Sequence, residues 1–222
     1  MKRIFSIFAI FSMLAGVAQT TATSFYFDIS NLDSTDFETA FEESWQGYFD
    51  IENTEYKQLI IAEDSISVRF GTQIILSKAE AVAKGFTFKE DKMYGMAPLN
   101  GVYYAEMNDT IIALYYQYDT YLASSCQFMK LDENNYLLFH PEDNDLFSID
   151  LMTRDGDKLS IGSVDHSDQM DNIEKFKKLD SKMLNGFNTY IAAPKIKEIA
   201  KFAKKDGFND IRWFELNKEL TN

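Results

Sequence analysis

The chain has 222 residues, of which 45% are hydrophobic and 15% aromatic, which is enough apolar material for one domain with a packed core. Three prolines and ten glycines exclude collagen-like and proline-rich low-complexity classes. The net charge of −13, from 35 acidic and 22 basic residues, argues against sequence-independent binding to nucleic-acid phosphates, which needs clustered Lys and Arg.

Residues 1–18 have the layout of a secretory signal peptide. Two basic residues near the start are followed by an apolar run and then by small residues ending at Ala18, the preferred cleavage position, with Ala22 as the alternative. The apolar run is too short to span a bilayer, which takes about 20 residues. Val17 occupies the position where a lipoprotein signal carries its cysteine. We therefore expect a secreted or periplasmic protein that is not lipidated and has no membrane span after cleavage.

Cys126 is the only cysteine, so the chain forms no internal disulfide. We interpret it as a small buried hydrophobe, with a reactive or intermolecular thiol as the alternative. The fold must then be stabilised by burial alone, which a chain of this length can achieve.

The chain after the signal divides into a short transition segment and one β-rich domain. Residues 19–43 are polar and acidic with spaced apolar side chains, and Ser34 is placed to cap a short helix running toward Glu43. Residues 44–222 contain no internal repeat and no linker rich in proline, glycine or serine. We expect them to form a single domain.

Residues 45–164 alternate apolar and polar side chains with turn signals at short intervals, which is the pattern of half-buried strands. Four turn signals separate pairs of such strands: Glu63-Asp64, Asn108-Asp109, Asp132–Asn135 and Asp155-Gly156. The pattern predicts a mainly β fold with an antiparallel up-and-down meander of about eight strands, either closed into a barrel or strongly curved.

The sequence also predicts three short helices. Ser77 and Glu80 have the form of a capping box for a helix inserted in the meander, and Gly85 ends it. Two C-terminal helices follow, one over residues 167–179 and one that Pro194 opens. The second carries lysines opposite its apolar stripe, which is typical of a solvated helix face.

The tetrapeptide Trp45-Gln46-Gly47-Tyr48 stands at the start of the first strand of the meander, and a helix follows the meander. This arrangement resembles the lipocalin-like calycins, which carry a glycine and a tryptophan close together where a β-barrel begins, although Gly47 here follows Trp45. The resemblance covers residues 45–179 and implies a calycin-like barrel around a ligand cavity. The chain is also similar to small secreted bacterial proteins of unknown function, which implies a compartment and no activity.

Few residues are suited to catalysis or metal binding. His140 and His166 stand outside any metal-ligand spacing motif, and we interpret them as turn or capping residues. No nucleophile motif surrounds Cys126 or a serine, and no glycine-rich phosphate loop is present. Acidic clusters such as residues 142–145 lie at predicted turns and lack the calcium-loop pattern. The sequence therefore predicts no cofactor, metal site or nucleic-acid partner, and favours a protein that is not an enzyme.

Aromatic side chains are the main candidates for a binding site. Six of the twelve tyrosines fall between Tyr103 and Tyr121, and a tyrosine combines an apolar ring with a hydroxyl that can orient a ligand. We predict a site that includes Trp45, Tyr103, Tyr104, Tyr115, Tyr116, Tyr118 and Tyr121. Cross-strand aromatic pairing within a β-rich core is the alternative interpretation of the same residues.

Three functions are consistent with these features. The main hypothesis is a secreted or periplasmic binding protein for a small apolar or amphiphilic ligand in a tyrosine-lined β-sheet cavity. The alternative is a cell-envelope module that binds a protein partner without a small ligand. A hydrolase with a site assembled from distant residues is the least favoured.

Overall fold

The computed structural model describes residues 23–51, 57–95, 101–176, 178–184 and 187–221. The predicted signal peptide and its two candidate cleavage positions lie outside these residues. Within them the predicted mainly β character is confirmed, with fifteen strands and four short α-helices.

The strands, in chain order, are β1 (Thr23–Phe27), β2 (Gly47–Ile51), β3 (Lys57–Ile61), β4 (Ile66–Ser77), β5 (Thr87–Lys89), β6 (Lys92–Tyr94), β7 (Val102–Met107), β8 (Thr110–Leu122), β9 (Gln127–Asp132), β10 (Asn135–Pro141), β11 (Phe147–Asp155), β12 (Lys158–Ser163), β13 (Asp180–Leu184), β14 (Phe187–Ala192) and β15 (Asp210–Leu216). The helices are α1 (Lys78–Ala83), α2 (His166–Ile173), α3 (Ile196–Ala203) and α4 (Lys218–Thr221). Short 3₁₀ turns lie at Ser34–Asp36, Glu43–Trp45 and Asp143–Asp145.

All of these strands belong to one large mixed sheet. Its main path runs β13-β14-β1-β11-β12-β15-β2-β3-β4-β8-β7-β6-β5, and β10 and β9 extend a branch from β11. Neighbours are antiparallel except β1 and β14, which pair in parallel from Thr23 against Asn188 to Phe27 against Ala192. The ends of the sheet do not pair with each other in the part of the chain that the structure describes, so the sheet is not closed.

The four predicted hairpins are present, because the residues of each turn encode it locally. Between β3 and β4 the Ala62 N–H donates to the Ser65 carbonyl oxygen at 2.9 Å. Asn108 and Asp109 adopt left-handed φ angles of 52° and 59°, as a two-residue turn of the tight hairpin type requires. Gly156 supplies the same backbone conformation, with φ of 60°, between β11 and β12.

The sheet curls so that strands far apart along it share one hydrophobic core, called here the main core. Trp45 is 2% exposed in it, and its ring meets the ring of Tyr136 edge-on at 4.8 Å. The other buried members are Phe41, Phe49, Leu59, Ile61, Ile66, Leu122, Phe128, Leu138, Met152, Leu159, Ile161 and Phe214. These side chains therefore fill the middle of the curl.

A second core lies on the opposite face of β9–β11, where α2 and α3 cover the sheet. Strand β10 makes both cores possible because it is apolar on its two faces: Tyr136 and Leu138 enter the main core, and Leu137 and Phe139 enter the second. Helix α2 and the turn after it contribute Ile173 and Phe176, and α3 contributes Ile199 and Phe202. A smaller third core packs below β4, β7 and β8 around Met93, Val102, Ile111 and Ala113.

The sheet differs from the predicted eight-stranded antiparallel meander in its number of strands and in the direction of one pair, and of the two predicted forms the closed barrel is absent from the described part of the chain. Residues 180–184 and 187–192 form β13 and β14, a region for which the sequence predicted no strands. The side chains of Asp180, Ser181, Lys182 and Met183 are all exposed, so β13 has no apolar alternation by which a strand could be detected. The parallel partner of β14 is β1, which lies in the segment predicted as a transition.

The helix predicted from Ser34 toward Glu43 does not form. Asp33 instead caps a single 3₁₀ turn, accepting from the Thr35 N–H at 3.0 Å. Phe37 is extended, and the Glu38 N–H donates to the Phe128 carbonyl oxygen at 2.9 Å. A long-range bridge to β9 therefore replaces the local helical hydrogen bonds.

The three predicted helices are present with different ends, and α4 was not predicted. At α1 the Ser77 N–H donates to Glu80 Oε2 at 2.9 Å, which completes the predicted capping box. Helix α2 ends at Ile173, earlier than predicted. Pro194 precedes α3 by two residues, and the N-cap of that helix is Lys195.

Candidate ligand-binding site

The inner face of the curled sheet changes from apolar to polar at one end. On four strands an apolar residue of the main core lies two positions from a polar one on the same face: Leu138 and His140, Met152 and Asp150, Ile161 and Ser163, Phe214 and Arg212. Together with Tyr121 and Ser148, the four polar residues line a pocket of about 450 Å³. We call these six residues (Tyr121, His140, Ser148, Asp150, Ser163 and Arg212) the polar mouth.

Asp150 is the buried centre of the polar mouth, with 8% of its surface exposed. The Tyr121 hydroxyl donates a hydrogen bond to Asp150 Oδ2, and His140 Nε2 lies 3.2 Å from the same oxygen. Burial by itself raises the pKa of the Asp150 carboxyl, but interactions with His140, Tyr121 and Ser163 outweigh it and hold the pKa below its usual value. The carboxylate is therefore ionised at neutral pH although it is buried.

Tyr121 and His140 surround this carboxylate in different ways. Burial, together with the adjacent Asp150 charge, raises the pKa of Tyr121, so its hydroxyl keeps its proton and acts as a donor. The His140 ring packs edge-on against the Tyr121 ring at 5.2 Å. His140 Nε2 is buried and forms no aligned hydrogen bond among the described residues, so its short distance to Asp150 is a contact that becomes an ion pair when the ring is protonated.

An apolar pocket of about 510 Å³ adjoins the polar mouth. Tyr121 and Arg212 line both pockets. The apolar pocket is also lined by Ile51, Lys57, Leu59, Val68, Phe70, Ile161, Ile211, Trp213 and Phe214. Its volume lies in the range of small-molecule sites, about 300 to 1,000 Å³, and its lining is mostly aliphatic and aromatic with few charged groups.

Two cations accompany this apolar lining. Lys57 Nζ lies 4.7 Å from the centre of the Phe70 ring, a cation–π arrangement that leaves the ammonium without a carboxylate partner among the described residues. Arg212 is exposed and likewise forms no ion pair in that part of the chain. The apolar pocket therefore carries two cations and no carboxylate in its own lining among the described residues, whereas the adjoining polar pocket is lined by the carboxylates of Asp150 and Glu142.

The seven residues predicted for the site are distributed over several surfaces. Trp45 lies in the main core, and Tyr104 and Tyr115 pack against the third core. Of the seven, Tyr121 lines the two pockets described above.

The remaining three, Tyr103, Tyr116 and Tyr118, are exposed on the outer face of β7 and β8. Tyr103 and Tyr118 keep 63% and 61% of their surface exposed. The Arg69 guanidinium lies 4.4 Å from the centre of the Tyr116 ring. Strand alternation separates side chains that are close in the sequence, and this is why the tyrosines do not converge on one cavity.

The other polar-mouth residues were not predicted as binding residues, and His140 was interpreted as a turn residue. The period-two pattern could have indicated these residues. On each strand one polar residue stands two positions from a core residue and interrupts the apolar inner face: His140, Asp150, Ser163 and Arg212. What the sequence could not provide is that the four interruptions lie at the same end of the curl.

Among the described residues of the polar mouth, Ser148 and His140 are not hydrogen-bonded to each other. The Ser148 hydroxyl donates to Glu142 Oε1 at 3.0 Å rather than to His140. Over the described ranges no group of three or more His, Cys, Asp or Glu side chains is placed to hold a metal ion. Cys126 is half-buried against the main core. The side chain of His166 lies outside the described residues.

No helix in the described part of the chain is long and apolar enough to cross a membrane. Comparison of the chain with protein-family models, with curated proteins and with solved structures found no significant match. The site's own geometry is therefore the basis for the functional argument that follows.

Proposed function

We propose that this protein is a secreted or periplasmic binding protein for a small amphiphilic ligand. The observation that carries the proposal is the apolar pocket of about 510 Å³, with Tyr121 and Arg212 at its junction with the polar mouth. The apolar part of the ligand would lie against Leu59, Val68 and Phe70, and a negatively charged end would face Arg212 and Lys57.

Two large apolar side chains at the pocket support a ligand with a hydrophobic portion. Trp213 and Ile211 are 50% and 45% exposed although both are strongly apolar residues. A ligand that covers them removes apolar surface from water, which is favourable by about 25 cal/mol for each Å². In the apolar pocket itself charge favours an anionic end, because its described lining includes Lys57 and Arg212 and no carboxylate.

The proposed site differs from the one that the calycin resemblance implies. In a calycin-like barrel the ligand would lie within the barrel, whereas here the main core fills the middle of the curl. The site lies at the end of that core, and Tyr121 is the predicted tyrosine that remains part of it.

Export is part of the proposal. Both candidate cleavage positions, Ala18 and Ala22, precede β1, whose Phe25 and Phe27 are buried in the second core. Removal of the signal at either position would keep these core residues in the mature chain.

The experiment uses the fluorescence of Trp213. The chain has two tryptophans, and Trp45 is buried in the main core while Trp213 is half-exposed at the pocket. Titration with decanoate should shift Trp213 emission to shorter wavelength and saturate, and a Trp213→Phe variant should lose that shift because Trp45 is already shielded. Folded protein whose emission and native mass spectrum are unchanged by decanoate, decanol and decylamine would contradict the proposal.

A cell-envelope interaction module is the second candidate. It is supported by exposed apolar side chains on the outer face of β4, β7 and β8, where Ile75 and Met107 accompany Tyr103 and Tyr118. A protein partner that presents an apolar surface would cover them. Cross-linking in intact cells, with a photoreactive residue at position 118 and a control at exposed Lys158, would yield a specific adduct from position 118 alone if this candidate is correct.

A further inference from the structure

A second, chemically different pocket lies between the end of α2 and α3. The Phe176 and Phe202 rings, 5.0 Å apart, join the two segments through the second core. Above the rings is a pocket of about 270 Å³, which we call the lysine groove. It is lined by Asn172, Lys175, Phe176, Glu198, Lys201, Phe202 and Lys205.

Positive charge extends from this groove along α3. Lys197 and Lys201 lie one helical turn apart on α3, Lys205 lies in the turn after that helix, and Lys175 lines the groove from the turn after α2; we call these four the lysine stripe. The exposed lysines of this region are Lys175, Lys195, Lys197, Lys201, Lys204 and Lys205. The positive charge of this surface contrasts with the net charge of −13 of the whole chain.

These lysines also lack the ion pairs that other lysines form. Lys78, Lys130, Lys182 and Lys218 each contact a carboxylate, whereas no ion pair joins any of the six lysines to another described residue. Glu198, the one carboxylate that lines the groove, accepts from the Lys195 N–H at 2.9 Å and is occupied with the start of α3. The stripe can thus offer its charge to an external anion.

We propose that the lysine groove binds the phosphate headgroup of an anionic phospholipid and docks the protein on a membrane surface. Three lysines line this one small pocket, which suits a single phosphate, and Phe176 and Phe202 in the same lining suit the adjoining glycerol and acyl carbons. A polyanion such as nucleic acid would lie along a longer surface and meet the acidic remainder of the chain, whereas a membrane touches only the face that docks. Exposed charges more than about 8 Å away are largely screened at physiological salt, so the local stripe decides the interaction.

The test is flotation of the full mature chain with vesicles. The protein should float with vesicles of phosphatidylglycerol and phosphatidylcholine, should not float with phosphatidylcholine alone, and should be released by salt. The triple variant Lys175→Gln, Lys201→Gln, Lys205→Gln should bind at least a hundredfold more weakly, because each lysine near an anionic surface contributes about fivefold. A matched triple variant at exposed Lys84, Lys89 and Lys158 removes the same charge elsewhere and should bind like the unmodified chain.

Further measurements distinguish a lipid headgroup from free phosphate as the bound anion. They also separate the membrane-docking proposal from the proposed ligand-binding function. Inorganic phosphate titrated into the protein, followed by amide chemical shifts, reports binding of a free anion; shifts in the groove without flotation would overturn membrane docking. Equal flotation of the two triple variants, or equal flotation with neutral vesicles, would overturn it as well. An Arg212→Gln variant should float normally, so that loss of decanoate binding and loss of flotation remain independent results.

Discussion

The Tyr121 hydroxyl donates a hydrogen bond to Asp150 Oδ2 and so joins β8 to β11, strands that are six steps apart along the sheet. Among the described strands the backbone does not close the sheet, yet this side-chain bond spans the curl at its polar end. It sets the boundary between the apolar pocket and the polar mouth, because Tyr121 lines both. The same bond therefore connects the stability of the fold to the shape of the site.

Removal of the Tyr121 hydroxyl should destabilise the fold. A Tyr121→Phe change keeps the ring against His140 and deletes one donor to a buried carboxylate, which we expect to lower the free energy of unfolding by about 1 to 3 kcal/mol. Urea denaturation followed by circular dichroism measures the change. Tyr118→Phe removes an exposed hydroxyl and should stay within about 0.5 kcal/mol of the unmodified protein; equal losses in the two variants would refute the role given to the Tyr121–Asp150 bond.

Asp150 should contribute stability that is lost in acid. The pKa of Asp150 in the folded state is held below the ordinary value of 3.8. Below about pH 4 the unfolded chain therefore binds the proton more readily than the folded one, and the stability that the Asp150 carboxylate contributes is lost. Asp150→Asn should be less stable than the unmodified protein at pH 7, and the difference should narrow as pH falls from about 5 to 3. Urea unfolding at pH 7, 5, 4 and 3 tests this.

The matched control for that series is Asp171→Asn, which removes an exposed carboxylate on α2. If the Asp171 and Asp150 variants showed the same dependence on pH, general charge repulsion would explain the result better than the buried contacts. Asp28, Asp33 and Glu80 also have a lowered pKa, caused first by hydrogen bonds to nearby Ser and Thr groups. Their contribution is present in every variant and cancels in the comparison.

The parts of this fold that the sequence predicted are those that a few neighbouring residues determine. Asn108 and Asp109 form their turn, and Ser77 and Glu80 form their capping box, through contacts between residues that are close in the sequence. The pairing of β1 with β14 joins residues more than 160 positions apart, and no local pattern records it. The polar mouth could not be predicted for the same reason, because His140 and Arg212 come together only through the curl of the sheet.

Close packing of β12 against the chain near Phe208 gives a test of the fold itself. A Cβ added at Gly162 would lie 2.5 Å from the Phe208 carbonyl oxygen, a backbone atom that cannot move without displacing its neighbours. Gly162→Ala should therefore cost about 1 to 3 kcal/mol of the free energy of unfolding, measured in urea. Ser181→Ala, on exposed β13, serves as the reference, and a Gly162 variant as stable as that reference would show that the two segments are not in contact.

Arg212 should distinguish ligands by charge rather than by size. If the arginine faces the anionic end of the ligand, Arg212→Gln should weaken decanoate binding about tenfold, the value of one charge-assisted hydrogen bond. The affinity for decanol, which has the same chain and no charge, should stay within about twofold, because the apolar lining is unchanged. Lys205→Gln removes one positive charge from the lysine groove instead and should leave the affinity for decanoate as it was. Equal weakening of decanoate and decanol in the Arg212 variant would mean that the arginine shapes the pocket and does not bind the charged end.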